Sequence, residues 1–265
     1  MAYPSIHYGN FGDEKITSTA KINGMPLGIR MVLPDGREFV HARAGGTALE
    51  VGKLYQAATA TIALTDTAYA KSLVPTSTIA VNATTIIFTN GATTAVTKDM
   101  FADGYLTTAS TIGTGIGYVY KVKANNSAAA GATTTVTLYE TDPVLVALAA
   151  GTTTLGISEN KNAAIILSAA NTIGAPLIGV PCNSAAASSY AWLQTKGPAA
   201  VFTGATVLLQ RSPCTASTAA AGAVGPIAVA ATSALLSTKE SFQVVGIGLM
   251  GAGTAGYSLI DLSIT

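Results

Sequence analysis

Charge is the first thing this chain is short of. Its 265 residues include 14 basic and 13 acidic side chains, 10% in all, with a formal net charge of +1. An ordinary soluble domain carries roughly 25%. No basic cluster offers a positive face to a phosphate backbone, which excludes nucleic acid as a partner. Histidine is scarcer still, His7 and His41 being the whole set. Two imidazoles without gathered Asp or Glu make no zinc site. A Ser-His-Asp triad would have to use one of them, and no GxSxG elbow exists. Cys182 and Cys214 match neither a CxxC motif nor a zinc spacing. They read as small core residues or free thiols, with a disulfide the lesser alternative, since nothing marks an oxidising compartment. The longest apolar runs, such as residues 143–150, fall short of the ~18–20 residues of a membrane helix. Residues 1–15 are polar and acidic with no apolar signal core, so synthesis in a cytoplasm is expected. Disorder is excluded as well, because disordered chains are charge-rich and poor in β-branched residues.

What fills the chain instead is small and β-prone. Ala and Thr together make up about a third of it, far above ordinary usage. Such side chains bury little apolar area each, so the core is thin. A bland surface over a thin core implies cover by neighbouring subunits, and oligomerisation is the default expectation. No segment keeps a capped 3.6-residue period, so long helices are not expected.

Residues 1–25 read as an extended arm, with Tyr3, His7, Tyr8 and Phe11 spread among glycines without period. Residues 26–77 open the β body. There Met31-Val32-Leu33 and Arg37-Glu38-Phe39-Val40-His41 flank Pro34-Asp35-Gly36. Proline presets φ, aspartate bonds its own backbone and glycine accepts positive φ, so a hairpin is predicted. Leu54-Tyr55-Gln56 suggests a further strand. Residues 78–150 read as a β meander or inserted subdomain. Alternation is clean over Gly117–Lys123 and Thr133–Tyr139, and Asn90-Gly91 after Thr84–Thr89 is the strongest two-residue hairpin signal. Residues 151–265 complete the body, with strands expected at 164–167, 190–195, 199–202, 206–210, 242–246 and 257–262. Gly197-Pro198 and Gly204 are read as separators. The fold class is therefore all-β: a barrel or sandwich body, an inserted meander and an N-terminal arm.

Motifs with chemical meaning are weak. Gly246-Ile247-Gly248-Leu249-Met250-Gly251 has the dinucleotide pattern but lacks the following helix and correctly spaced acid. Gly113–Gly117 has no Lys-Ser/Thr pair after it and reads as a hairpin loop. Ser18-Thr19-Ala20-Lys21 lacks the companion motifs of SxxK enzymes. No cofactor, metal site or catalytic residue is expected.

Several stretches together resemble virion structural proteins of tailed bacteriophages, in particular head decoration (cement) proteins. They are Asp35-Gly36-Arg37-Glu38-Phe39-Val40-His41 leading to Leu49-Glu50-Val51-Gly52-Lys53-Leu54-Tyr55, and Tyr190-Ala191-Trp192-Leu193-Gln194-Thr195-Lys196-Gly197-Pro198-Ala199-Ala200-Val201. Val244-Val245-Gly246 and Tyr257-Ser258-Leu259-Ile260-Asp261-Leu262 follow, with Ala102-Asp103-Gly104-Tyr105-Leu106 and Gly117-Tyr118-Val119-Tyr120-Lys121-Val122 between. The resemblance implies a non-enzymatic protein, commonly a homotrimer, on the outer surface of a capsid, with the major capsid protein as partner and no membrane. Tyr3, His7, Tyr8, Phe11, Arg37 and Arg43 are the expected capsid contacts. Alternatives are a tail, fibre or host-binding virion part, a bacterial adhesin domain, and a polysaccharide depolymerase. A fibre would show repeats, and a depolymerase would need converging carboxylates.

Overall fold

The computed structural model describes residues 6–58, 69, 72–108, 116–170, 175–204, 210–217, 219–227, 243–250 and 256–264. Among these, the chain forms seventeen strands in two sheets, with two single-turn 3-10 segments, and Tyr69 is helical. The all-β class holds. Strand pairing among the described residues does not close either sheet into a barrel. The chain divides into two compact units, Met1–Ala58 with Lys161–Thr265, and Thr59–Asn160.

The first unit contributes β1 (Ile6–Tyr8), β2 (Thr17–Ser18), β3 (Arg30–Val32), β4 (Glu38–Arg43) and β5 (Tyr55–Gln56) from its N-terminal part. The Pro34-Asp35-Gly36 hairpin is present. β3 and β4 pair antiparallel, Gly36 holds φ at 83°, and the Asp35 carboxylate accepts the Arg37 amide at 3.1 Å. From Ile6 onward, the segment read as an arm is part of the body. β1 lies parallel to β3, and Ile22 and Met25 are buried beside Met31, Phe39 and Trp192. Its pieces are two to three residues long, too short to show a period.

The centre of this unit is β13 (Tyr190–Gly204), fifteen residues long. The sequence reading ended a strand at Gly197-Pro198, but the strand runs through them. Its first half pairs with β4 from Tyr190↔Arg43 to Lys196↔Glu38, and the register slips between Gln194 and Lys196. Its second half pairs with β17 (Gly256–Ser263), Pro198 facing Asp261. The slip is a bulge, which inserts a residue and bends the strand. Gly197 carries φ of 87° there. The buried Gln194 amide donates to the carbonyls of Lys196, Gly197 and Pro198 at 3.0–3.1 Å, bracing the bulge from within the strand. Pro198, with no amide hydrogen to give, is tolerated beside a bulge.

β12 (Leu177–Pro181), buried along its whole length, lies between β5 and β13, and β11 (Ile166–Leu167) pairs with β5 on the other side. β12 approaches β13 so closely that a Cβ on Gly179 would lie 2.7 Å from the Gln194 carbonyl. Beyond β17 the sheet continues through β16 (Gly246–Gly248) and β14 (Pro213–Ala216) to β15 (Val224–Pro226). The expected strand at 206–210 falls on residues 205–209, outside the described set except for Gln210.

The second unit holds β6 (Thr85–Thr89), β7 (Tyr105–Thr108), β8 (Val119–Asn125), β9 (Thr133–Leu138) and β10 (Leu155–Ser158), ordered β10-β7-β8-β9-β6. Alternation turns Ile86, Phe88, Leu106, Tyr120, Val122, Val136, Leu138 and Ile157 into one core. The two outer strands are each touched by residues 73–75, through the bridges Leu73↔Leu155 and Pro75↔Phe88. Asn90-Gly91 does not turn a hairpin. β6 pairs with β9 instead, and neither residue has positive φ as a type I′ turn requires. The buried Asn90 side chain is occupied elsewhere, donating to the Ala129 carbonyl at 3.0 Å and accepting from the Thr134 hydroxyl.

Gln194→Leu keeps the volume and removes the hydrogen bonds to the carbonyls of Lys196, Gly197 and Pro198. Thermal or urea unfolding should show a loss of about 0.5–1.5 kcal/mol, the net worth of an intramolecular hydrogen bond. An unchanged midpoint would mean that the Gln194 amide does not hold the bulge.

Candidate interaction surfaces

The six residues expected to contact a partner fall into two groups, with Tyr3 lying outside the described residues. His7 and Tyr8 stand on β1, the outermost strand of the larger sheet. Past it, the Asp13 carboxylate accepts the Asn10 amide at 2.8 Å and the buried Glu14 carboxylate accepts the Gly12 amide at 2.6 Å. Gly12 has φ of 107°, which a side chain would strain. This stapled turn presents Tyr8 77% exposed and Phe11 64% exposed. Two large apolar side chains are thus held in water on ordered backbone, which lowers the entropy lost when a partner covers them.

His7 turns the other way. Its ring lies 6.3 Å from that of Trp192, only 10° from parallel. The row continues from Trp192 to His41 at 5.2 Å and from His41 to Tyr190 at 5.6 Å, and Arg43 caps it 5.8 Å above Tyr190. His41 is fully buried, its Nδ1 3.2 Å from the Pro26 carbonyl. Arg43 also donates to the Ser188 carbonyl at 3.2 Å. Arg37 is engaged within the fold. It pairs with Asp35 at 2.6 Å, reaches Glu14 at 3.9 Å and lies over Phe39 at 5.6 Å. Of the expected contacts, Tyr8 and Phe11 face outward unengaged by the core, while His7, Arg37 and the exposed Arg43 also make contacts within the fold.

A second surface escaped the sequence reading. On β17, Ser258, Ile260 and Leu262 point inward while Tyr257, Leu259 and Asp261 point out. The register places Phe202, Ala200 and Pro198 of β13 beside them, and Ile247 of β16 on the far side. Tyr257, Ile247 and Met250 are each at least half exposed. Asp261 faces outward within this apolar strip, and the Lys53 ammonium lies 5.7 Å over the Phe202 ring at its edge. Both faces of β17 carry large apolar residues, so alternation alone does not say which is covered. The GxGxxG stretch is part of this strip: Gly246 lies against β17, where a Cβ would meet the Asp261 carbonyl at 2.1 Å, and Gly246–Gly248 is a strand paired on both sides.

Neither cysteine is in a disulfide. Burial pushes the Cys182 thiol up to about 11, and burial raises Cys214 too. Among the described residues, no three His, Cys, Asp or Glu side chains gather as a metal ion would need. No helix among the described residues is long and apolar enough to cross a membrane. Comparison with known protein families, curated proteins and solved structures finds no match.

Trp192→Ala should cost about 3–5 kcal/mol by removing the centre of the aromatic row. Tyr8→Ser and Phe11→Ser should stay within about 0.5 kcal/mol of the parent in chemical denaturation. Alkylation of Cys182 proceeds through its thiolate. With the thiol raised to about 11, iodoacetamide should label it slowly in native protein at neutral pH and faster as pH approaches that value. Rapid neutral-pH labelling would show that the thiol is not shielded.

Proposed function

We propose that the protein is a structural virion component that binds the outside of a phage capsid and bridges neighbouring capsomers as an oligomer. The observation that carries this reading is the pair of ordered apolar surfaces on a chain with little charge. One is the Tyr8–Phe11 edge, the other the strip over β13, β17 and β16. Contiguous exposed apolar patches mark interaction sites on soluble proteins. The strip is assigned to a second copy of this chain. It is almost free of charge, and the sequence from 162 to 238 carries only Lys196 and Arg211, in keeping with the charge depletion of interface cores. The aromatic edge is assigned to the capsid protein. In this arrangement no residue performs catalysis.

The test separates the two surfaces. Tyr8→Ser with Phe11→Ser should abolish binding to purified undecorated shells while sedimentation still reports an oligomer. Leu259→Lys should yield a monomer by sedimentation. Deleting the N-terminal segment is a poor test, because Ile22 and Met25 belong to the core. Shells that still acquire the Tyr8/Phe11 variant at the parent stoichiometry would end the edge assignment. A parent protein that is monomeric and binds no shell would end the whole reading. A tail or fibre role would show as a few to dozens of copies per particle instead of hundreds.

A further inference from the structure

We propose that the second unit cross-links itself, the Lys121 amine and the Asn160 side-chain amide condensing into an isopeptide bond with Asp103 as proton carrier. The proposal does not depend on the capsid reading.

Three neighbouring strands bring the groups together. Lys121 on β8 stands opposite Tyr105 on β7. Its ammonium lies 3.9 Å from the Tyr105 ring centroid and donates to the main-chain carbonyl of Asp103. Asn160 follows β10, whose Ser158 pairs with the same Tyr105. The Asn160 amide donates to that same Asp103 carbonyl, at 2.8 Å. Amine and amide therefore converge on one oxygen from opposite sides of β7. The carboxyl of the same residue is fully buried, with the Tyr139 hydroxyl donating to its Oδ1 at 2.8 Å. The backbone is built tightly to place this point. Asp103 is left-handed, with φ of 60°, and a Cβ on Gly104 would fall 2.2 Å from the Ser158 carbonyl. Nearby Phe101, Leu106, Tyr120 and Ile157 belong to the apolar core of the unit. A nucleophile, an acyl group and a buried proton carrier held together in this way gain from proximity what free amine and amide lack in water.

The step balances without an oxidant or cofactor. Lys121 passes a proton to the Asp103 carboxylate and its free Nζ attacks Asn160 Cγ. The Nζ–Cγ bond forms, the Cγ–Nδ2 bond breaks, and the departing nitrogen takes up protons from Nζ and Asp103. Ammonium leaves, and Asp103 returns to the carboxylate. The product would tie β8 covalently to the segment after β10, across β7.

The test is the intact mass of the full chain, purified and denatured. The cross-link removes one ammonia, so the mass should fall about 17 Da below the sequence value. Fragmentation of a protease digest should find the peptides holding Lys121 and Asn160 joined. Lys121→Arg and Asn160→Ala should each restore the sequence mass. So should Asp103→Asn, since asparagine tolerates left-handed backbone and keeps an acceptor for Tyr139. Circular dichroism checks that these variants fold. Wild-type protein that keeps its full mass and yields no joined peptide after several days at physiological temperature overturns the proposal, whatever the variants do. A loss of ammonia that persists in folded Asp103→Asn would overturn the role given to Asp103.

Discussion

The larger unit depends on one side-chain amide. β13 must serve two sets of partners, β4 and β12 along its first half and β17 along its second. A straight strand cannot match both registers, so an extra residue enters after Gln194. A bulge disturbs the ladder and bends the strand. Gln194 braces it by donating its amide to the carbonyls of Lys196, Gly197 and Pro198. Everything on either side inherits the bend. Trp192 joins the Met31–Phe39 cluster, Leu193 joins that of Tyr55, and Val201 joins that of Ile260 and Leu262. Three small cores are thereby threaded on one strand, which suits a chain whose Ala and Thr side chains could not fill one large core.

The same bend sorts surfaces. Before it, β13 is covered on both faces from Ala191 to Gln194; after it, exposed and buried positions alternate. Strands buried on both faces read as continuous apolar runs, and half-exposed strands alternate. The alternating half, with β17 and β16, forms the exposed apolar strip, so that strip is a continuation of the core strand.

Local chemistry was legible in the sequence and long-range chemistry was not. Pro34-Asp35-Gly36 carries its whole mechanism within three residues, and the hairpin is there. β8 and β9 alternate cleanly because one face of each meets a single core. Asn90-Gly91 misled because its turn propensity lost to a buried hydrogen-bond pair that Ala129 and Thr134 complete from about forty positions away. Gly197-Pro198 looked like a break because the amide that braces the bulge belongs to Gln194, three residues earlier. The aromatic edge was half legible. The lack of any period around Tyr8 and Phe11 fits their exposure, but the core role of Ile22 and Met25 is hidden in a single turn too short to register. Which face of β17 is covered is a question about β13 and β16, and the alternation of Tyr257 to Leu262 holds no answer to it.

The placement of charge follows from the same economy. With few ionic groups available, several of those in the N-terminal part are tied up within the fold. Glu14 holds the Gly12 amide and receives Arg37, while Glu38 receives both Arg30 and Lys196. Exposed ion pairs contribute little each, but here they fix the turn that carries Phe11 and the hairpin beside it. A mobile arm bearing Tyr8 and Phe11 would lose chain entropy on every docking event. A stapled turn has already lost it on folding, so a small apolar contact suffices. Repeated around an oligomer, modest contacts of that kind gain through effective concentration. A weakly charged protein can in this way attach firmly without the electrostatic complementarity it lacks.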